Sequence, residues 1–399
     1  MAFTNTTTHY GGVTKTFHWL TALLILSLIP LGWYAERLPY ETDIELARKA
    51  WLFSLHKTLG VTAFFVAVGR IAWALSQPKP GLMNADKPAE SFAAETVHWA
   101  LYGALVIVPL SGWISHAAAA GFAPIWWPFG QGLPLVPKST NIEHIFSAVH
   151  WIATKVLIAA LLLHIAGALK HHFIDRDATL HRMLPGMPTL PALPAQRHSA
   201  VPVLTALVLW AAVLVGGTIM GRSDTAVVEV AELTEVTSDW MVQTGSIEIT
   251  VVQFGSAVTG SFADWTASIT FDEDNPDMTI GSVTTTIAIP SLTLGSVTDQ
   301  AMGADFFDAA TYPTAVFDAV LNRANDGFEA VGTLTIRDQS MPLTLPFSLS
   351  IVEGLAEMKG ALTLDRRDFG VGNNMNDASS LAFEVNVDVT LTATRATPQ

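Results

Sequence analysis

AVHWIATKVLIAALLLHIAGALKHH, residues 148–172, is a membrane-length apolar run with a histidine near each end. About 20 helical residues cross a hydrocarbon core of about 30 Å. An ionisable side chain inside such a run is costly enough to mark a functional site by default. His150 and His164 are fourteen residues apart, which on a helix is roughly 21 Å of rise and a rotation that leaves them within about 40° of each other. One helix face thus offers an imidazole toward each membrane surface.

Four more apolar runs are long enough to cross: 17–35, 52–75, 96–116 and 202–221. The third contains Pro109, which a bundle absorbs as a kink. Only Lys15 precedes the first run, and no small-residue cleavage site follows it, so it reads as a retained helix rather than a signal peptide. Lys15, Arg70, Lys79, Lys87, Lys170, Arg176, Arg182 and Arg197 fall on one side of these spans. Arg37, Arg48, Lys49 and Lys138 fall on the other, mixed with Glu36, Glu41, Asp43 and Glu45. The excess of Lys and Arg on the first side predicts a cytoplasmic N-terminus, and five crossings carry everything after Gly221 outside.

The charge divides at the same place. Residues 1–221 hold 14 Lys and Arg against 10 Asp and Glu, a net of +4, whereas residues 222–399 hold 7 against 25, a net of −18. Two solvents, rather than one globule, are implied, and so acidic a second half argues against nucleic-acid binding. There is no cysteine. Disulfides, thiolate metal sites and covalently attached haem are therefore excluded, and any haem is a non-covalent b-type group.

All twelve histidines lie before residue 199. His18 opens the first run and, on the predicted topology, shares the inner level with His164; His56 opens the second and shares the outer level with His150. Two pairs at two depths, drawn from different helices, suit two stacked bis-histidine haems. Gly60 and Gly167 lie one turn from His56 and His164, where small residues let a porphyrin approach the backbone. A single membrane histidine also serves as a helix contact, and a metal transporter is the main competing reading. A transporter would be expected to carry Asp or Glu in mid-membrane, and none occurs in these runs.

FHWL (17–20), LHKTLG (55–60), HW (150–151) and LHIAGALKHHFIDRDATLHRMLPG (163–186) resemble the bacterial cytochrome b561 family. The resemblance spans residues 8–187 and implies a four-helix inner-membrane domain with two haem b groups, ligated by His18, His56, His150 and His164. It also matches His98, in VHWALYG, to a family histidine that either lines a quinone site or caps a helix. His171 and His172 match the family's paired histidines and would meet headgroups or haem propionates, or form a solvated helix end. Lys155, one turn inside His150, would contact a propionate or snorkel to the surface. His116, His144, His181 and His198 receive no role.

Between the fourth and fifth runs, Pro185, Pro188, Pro191 and Pro194 recur every third residue. The spacing suits a stiff, extended polyproline spacer, and the plainer reading of residues 188–201, a polar connector with no role beyond its length, is preferred. Beyond residue 222 the period changes. SIEITVVQF, TASITF, TTTIAI, AVFDAVL, GTLTI, LPFSLSI, GALTL and AFEVNVDVTLTA are about eight short strands separated by turn signals, an all-β sandwich or barrel. VTGSFADWTASITFDEDNP (258–276), GADFFDAATYPTAVFDA (303–319), GTLTIRDQSMPLTLPFSL (332–349) and LDRRDFGVG (364–372) resemble the YceI-like polyisoprenoid-binding family over residues 238–394. That resemblance implies a lipocalin-like antiparallel barrel, closed at eight strands around one isoprenoid chain. Phe254, Phe262, Trp265, Phe306, Phe307 and Phe317 are candidate lining residues, though aromatics in a barrel are more often plain core. Family members commonly carry a histidine in an early strand and this domain has none, so contacts that depend on it are not expected. Stand-alone members carry a signal peptide where run five stands, so residues 202–221 read as that signal retained as an anchor, with cleavage after GGTIMG as an alternative.

The expected architecture is a membrane four-helix haem bundle, a fifth anchoring helix and a periplasmic β-barrel. The expected function is a di-haem b oxidoreductase moving electrons between a small extracytoplasmic donor and ubiquinone, with the barrel holding an isoprenoid quinone or lipid. Superoxide as the donor is what the cytochrome resemblance implies. Arg37, Arg48, Lys49 and Lys57 would attract such an anion, or are ordinary solvated charges. The alternative is a membrane-anchored isoprenoid carrier or stress-response binding protein in which the haem helices are auxiliary.

Overall fold

The computed structural model describes residues 2–119, 123–190, 193, 196, 199–223, 233 and 236–396. Pro191, Pro194, Arg197 and His198 lie outside these residues. The chain divides into two compact units, a helical one and a strand-built one that also takes in Leu38–Ala50.

Among the described residues, five helices are long and apolar enough to cross a membrane: α1 (Gly12–Glu36), α2 (Asp43–Leu75), α3 (Pro88–Ala118), α4 (Thr140–Lys170) and α5 (Val201–Ser223). Each begins or ends beyond its apolar run. Hydropathy marks the part that meets lipid, whereas capping sets the true start. Pro88 opens α3 without needing an amide partner, and the Ser139 hydroxyl accepts from Ile142 N–H at the start of α4. The outward faces are apolar: Leu23, Phe65, Leu162, Val208 and Ile219 are all exposed. Such a surface would drive aggregation in water and is ordinary against lipid tails.

Small residues set the packing inside. Ala67, Ala104 and Ala153 are fully buried beside Leu105, Leu157 and Trp210. Helix α5 packs on α3 and α4. Gly103 admits the Trp210 indole, and a Cβ on Gly217 would stand 2.9 Å from Val149 Cα. A Cβ on Gly221 would stand 2.7 Å from the His144 carbonyl oxygen. Gly217 and Gly221 form the small-xxx-small spacing that lets two membrane helices meet backbone to backbone. The fifth helix is therefore an integrated member of the bundle.

The second unit holds ten strands among the described residues: β1 (Trp240–Gln253), β2 (Ser256–Phe262), β3 (Trp265–Phe271), β4 (Thr279–Ala288), β5 (Leu292–Thr293), β6 (Thr314–Ala324), β7 (Gly327–Ile336), β8 (Gln339–Val352), β9 (Leu355–Asp365) and β10 (Leu381–Arg395). A short helix, α6 (Thr298–Met302), follows β5. They make one antiparallel sheet ordered β3-β4-β6-β7-β8-β9-β10-β1-β2-β5. The expected eight strands thus become ten. SAVTGSF, the whole of β2, has too few large apolar residues to register as a strand, and the two-residue β5 has no pattern to read. The β1–β2 hairpin turns on Phe254 and Gly255, both at positive φ (48° and 73°), as a two-residue turn matched to strand twist demands.

The sheet curls until β3 returns to the start of β1. Asp239 N–H donates to the Ile269 carbonyl at 3.0 Å, and Trp240 Nε1 donates to the Phe271 carbonyl at 3.0 Å. The Trp265 ring lies against Gly245, where a Cβ would stand 2.7 Å from Cζ2.

Replacing Gly217 and Gly221 together by leucine is expected to lever α5 off α4, at an overpacking cost of about 1–3 kcal/mol per site. Thermal denaturation of the purified chain in detergent checks this. A lowered melting temperature is expected, and unchanged melting would contradict the close helix contact.

Candidate functional site

The histidines come together in two groups within the helical unit. His18 of α1 and His164 of α4 face each other with ring centroids 6.1 Å apart and planes tilted by 56°. A metal–imidazole bond is about 2.0–2.1 Å long, so this separation admits one metal atom between facing ring nitrogens. His98 of α3 is beside them, its ring 5.2 Å from that of His164.

The second group is formed by His56 of α2 and His150 of α4, which are electrostatic neighbours. Glycines make room for both rings. A Cβ on Gly32 would stand 2.7 Å from His56 Cε1, and one on Gly112 would stand 2.9 Å from His150 Nδ1. His150 Nδ1 donates to the Val108 carbonyl at 2.8 Å. That bond fixes the tautomer and leaves the Nε2 lone pair free, the arrangement found in metal-ligating histidines. His56 Nδ1 is buried and meets no partner at full hydrogen-bond geometry, with the Leu28 backbone of α1 beside the ring. At Gly60 and Gly167 an added Cβ would meet nothing within 4 Å, so open space lies one turn from His56 and His164. A His150 ring with one nitrogen committed to the backbone, together with open space at Gly60 and Gly167, fits a haem.

Other polar side chains of the helical unit have protein partners of their own. His116 is only 9% exposed. Its Nδ1 accepts from Lys57 Nζ at 3.0 Å, and its Nε2 donates in a short bond to Gln131 Oε1. Near them Trp113, Trp127, Phe64 and Phe65 pack edge to face. Lys155 Nζ lies 5.0 Å above the Trp151 ring. His171 Nδ1 pairs with Asp177 at 2.6 Å and Asp175 at 3.3 Å, so it is held by carboxylates in a π-helical turn, His171–Asp175. The His172 ring packs edge-on to Phe173 and at a tilt against His181.

Sequence reasoning also missed a brace beyond α4. Arg182 is 4% exposed and donates to the carbonyls of Gly81 (2.9 Å) and Thr8 (2.6 Å). Lys15 Nζ donates to Leu184 and Gly186 carbonyls, both at 2.8 Å. Burial pushes the Tyr10 phenol pKa up, opposed by the Arg182 guanidinium beside it.

The strand unit curls around an open cavity of about 270 Å³ with an almost wholly apolar wall. Phe262, Trp265, Phe306, Phe307 and Phe317 line it. Phe254 does not: it occupies the β1–β2 turn at positive φ, out of the strand's alternation, and packs beside Leu381 and Met375. Arg366, 5% exposed, is also in the wall. Its guanidinium donates to the carbonyls of Ala382, Val371, Gly372, Met375 and Leu381, which organises the segment before β10.

Comparison with known proteins agrees with both halves. Residues 9–186 match the family described as prokaryotic cytochrome b561. Cytochrome b561 homolog 2 of Escherichia coli (strain K12) is 31% identical over 187 residues, covering 46% of this chain and 95% of that protein. The chain belongs to the cytochrome b561 family. Residues 239–393 match the YceI-like domain, and a UPF0312 protein of Pseudomonas aeruginosa (strain LESB58) is 30% identical over 142 residues, 33% of this chain and 74% of that one. A probable superoxide oxidase CybB of Yersinia pestis is 26% identical over 172 residues, 42% of this chain and 91% of that one. This member of the cytochrome b561 family is thus a membrane redox protein fused to a YceI-like binding domain, and the family implies haem b.

Gly112→Val is expected to push the His150 ring out of register with His56. Haem quantified per chain should fall by about one group, and a variant that kept its full haem would contradict the crowding argument.

Proposed function

We propose that this chain is a di-haem b oxidoreductase that takes electrons from a small anionic donor outside the cell membrane, superoxide in the first instance, and delivers them to ubiquinone. His18 with His164, and His56 with His150, hold the two groups. The observation that carries this reading is the geometry of the two pairs, each drawn from different helices, with His150 committed to one tautomer and open space at Gly60 and Gly167. Haem held by these histidines would supply one-electron chemistry, at potentials set by its imidazole ligands and the surrounding dielectric.

The chain's own residues do the rest. Lys57, next to His56, presents a cation that is hydrogen-bonded to His116 and backed by Gln131. Such a cation attracts and orients a small anion beside the second histidine pair. His98, in contact with His164, is positioned for a quinone contact at the other pair. Lys155, held over Trp151, is within the same helix for a propionate contact. Each superoxide gives up one electron and leaves as dioxygen, while the quinone takes two electrons and two protons.

The orientation follows from the Lys and Arg distribution, with the N-terminus in the cytoplasm and the YceI-like domain in the periplasm. Residues 8–187 form the cytochrome, residues 188–201 the linker, residues 202–221 the fifth span and residues 238–394 the barrel. The barrel's apolar cavity holds an isoprenoid quinone or lipid, and tethering raises its local concentration at the cytochrome.

Purified full-length chain in detergent tests this reading. Superoxide generated in the presence of a soluble ubiquinone should yield ubiquinol faster with the protein than without it; no protein-dependent ubiquinol would refute the assignment. Lys57→Gln should lower the superoxide-driven rate by about tenfold at low ionic strength, with less effect in high salt. A salt-independent loss would contradict electrostatic capture. A variant lacking His18, His56, His150 and His164 that still met the cellular role would favour a membrane-anchored isoprenoid carrier instead.

A further inference from the structure

The barrel cavity is apolar except at a few places in its wall, and two of these are unusual. Gln253, at the end of β1, is 3% exposed, and its Oε1 has no hydrogen-bond partner. Gln300, in α6, has a buried Nε2 that likewise has no partner. Both residues line the cavity. Arg366 also lines it, but its nitrogens are occupied by backbone carbonyls.

A carboxamide atom buried without a partner is costly, because its lost hydration is not replaced. Here one acceptor and one donor are orphaned in the wall of a single cavity. They also belong to the same end of the barrel. Val251, two residues before Gln253 on the same face of β1, packs on the cluster that contains Ala301, the neighbour of Gln300. Away from that end the wall is built from Trp240, Phe271, Leu321, Phe347, Ala356 and Ala393, with no orphaned side-chain atom among them.

We propose that Gln253 and Gln300 are a head-group site for an isoprenoid that carries a hydroxyl, with the hydrocarbon tail running toward Trp240. A hydroxyl can donate to an acceptor such as Gln253 Oε1 and accept from a donor such as Gln300 Nε2, so a hydroxyl-bearing head group offers a partner to either kind of orphaned atom in this wall. A quinone carbonyl only accepts, and it leaves Gln253 unpaired. The site therefore takes the reduced quinol, or a polyprenol, in preference to the quinone. A site built to pair a hydroxyl discriminates strongly against analogues that lack one, since the protein's buried polar groups are then stranded. The inference rests on the reading that this cavity holds an isoprenoid, and it adds the oxidation state of the preferred ligand.

Native mass spectrometry of the full-length chain, titrated separately with geranylgeraniol, ubiquinol-2, ubiquinone-2 and a C20 isoprenoid hydrocarbon, tests it. The two hydroxyl-bearing probes should bind at least about tenfold tighter than the two lacking a hydroxyl, the discrimination expected of one well-paired polar group. Gln253→Leu should abolish that difference, leave the affinity for the hydrocarbon unchanged and not lower the melting temperature of the empty protein. A merely structural glutamine would instead destabilise the protein when replaced. Equal affinity for all four probes, or a preference that survives in both Gln253→Leu and Gln300→Leu, would overturn the head-group site. If none of the four binds, the isoprenoid reading of the cavity fails and this inference fails with it. Tighter binding of ubiquinol than of geranylgeraniol identifies the quinol as the better ligand, and the reverse identifies the prenol; both support a hydroxyl site.

Discussion

The hydrogen bond from His150 Nδ1 to the Val108 carbonyl is the constraint around which the helical unit is arranged. An imidazole in hydrocarbon must be neutral, and each of its nitrogens must be paired or put to use. Committing Nδ1 to a backbone carbonyl leaves Nε2 as the free nitrogen, and the position of that carbonyl fixes where the ring points. Gly112 must then lack a side chain so that the ring can reach. The same economy recurs at Gly32, which yields its Cβ space to His56, and in α5, whose Gly217 and Gly221 yield theirs to α4. Small residues in this bundle mark the places where something large must come close.

The strand unit solves the opposite problem. Its sheet must bend around a space without filling it, and a single large side chain at the seam, Trp265 over Gly245, meets β1 where β3 returns to it. Arg366 then gathers five backbone carbonyls into one ordered segment. A buried guanidinium is tolerable only when its donors are satisfied to that degree. The remaining wall is left to aliphatic and aromatic side chains, and the orphaned glutamines stand out against it.

Much of this was legible in the sequence because the signals were long or regular. The fourteen-residue spacing of His150 and His164 survives any small error in helix boundaries, and the switch from membrane-length runs to short alternating strands is unmistakable. What was not legible depended on contacts between distant segments. His116 looked like a helix-end residue, and only folding brings Lys57 to it across 59 positions. Phe254 looked like cavity lining because an aromatic at a strand end gives no sign of the turn that removes it from the alternation. The spacing of Gly217 and Gly221 was visible in the sequence and marks a packed helix, yet run five read as a tether. β2 was lost because serine, threonine and glycine carry no hydropathy period.

The central claim is that two histidine pairs each hold one haem. Haem b quantified per chain, on purified full-length protein and on the single variants His18→Ala and His150→Ala, tests it most directly. The account predicts about two reducible low-spin groups in the parent and about one in each variant, with different groups lost in the two cases. One haem or none in the parent, or the same group lost from both variants, would contradict it.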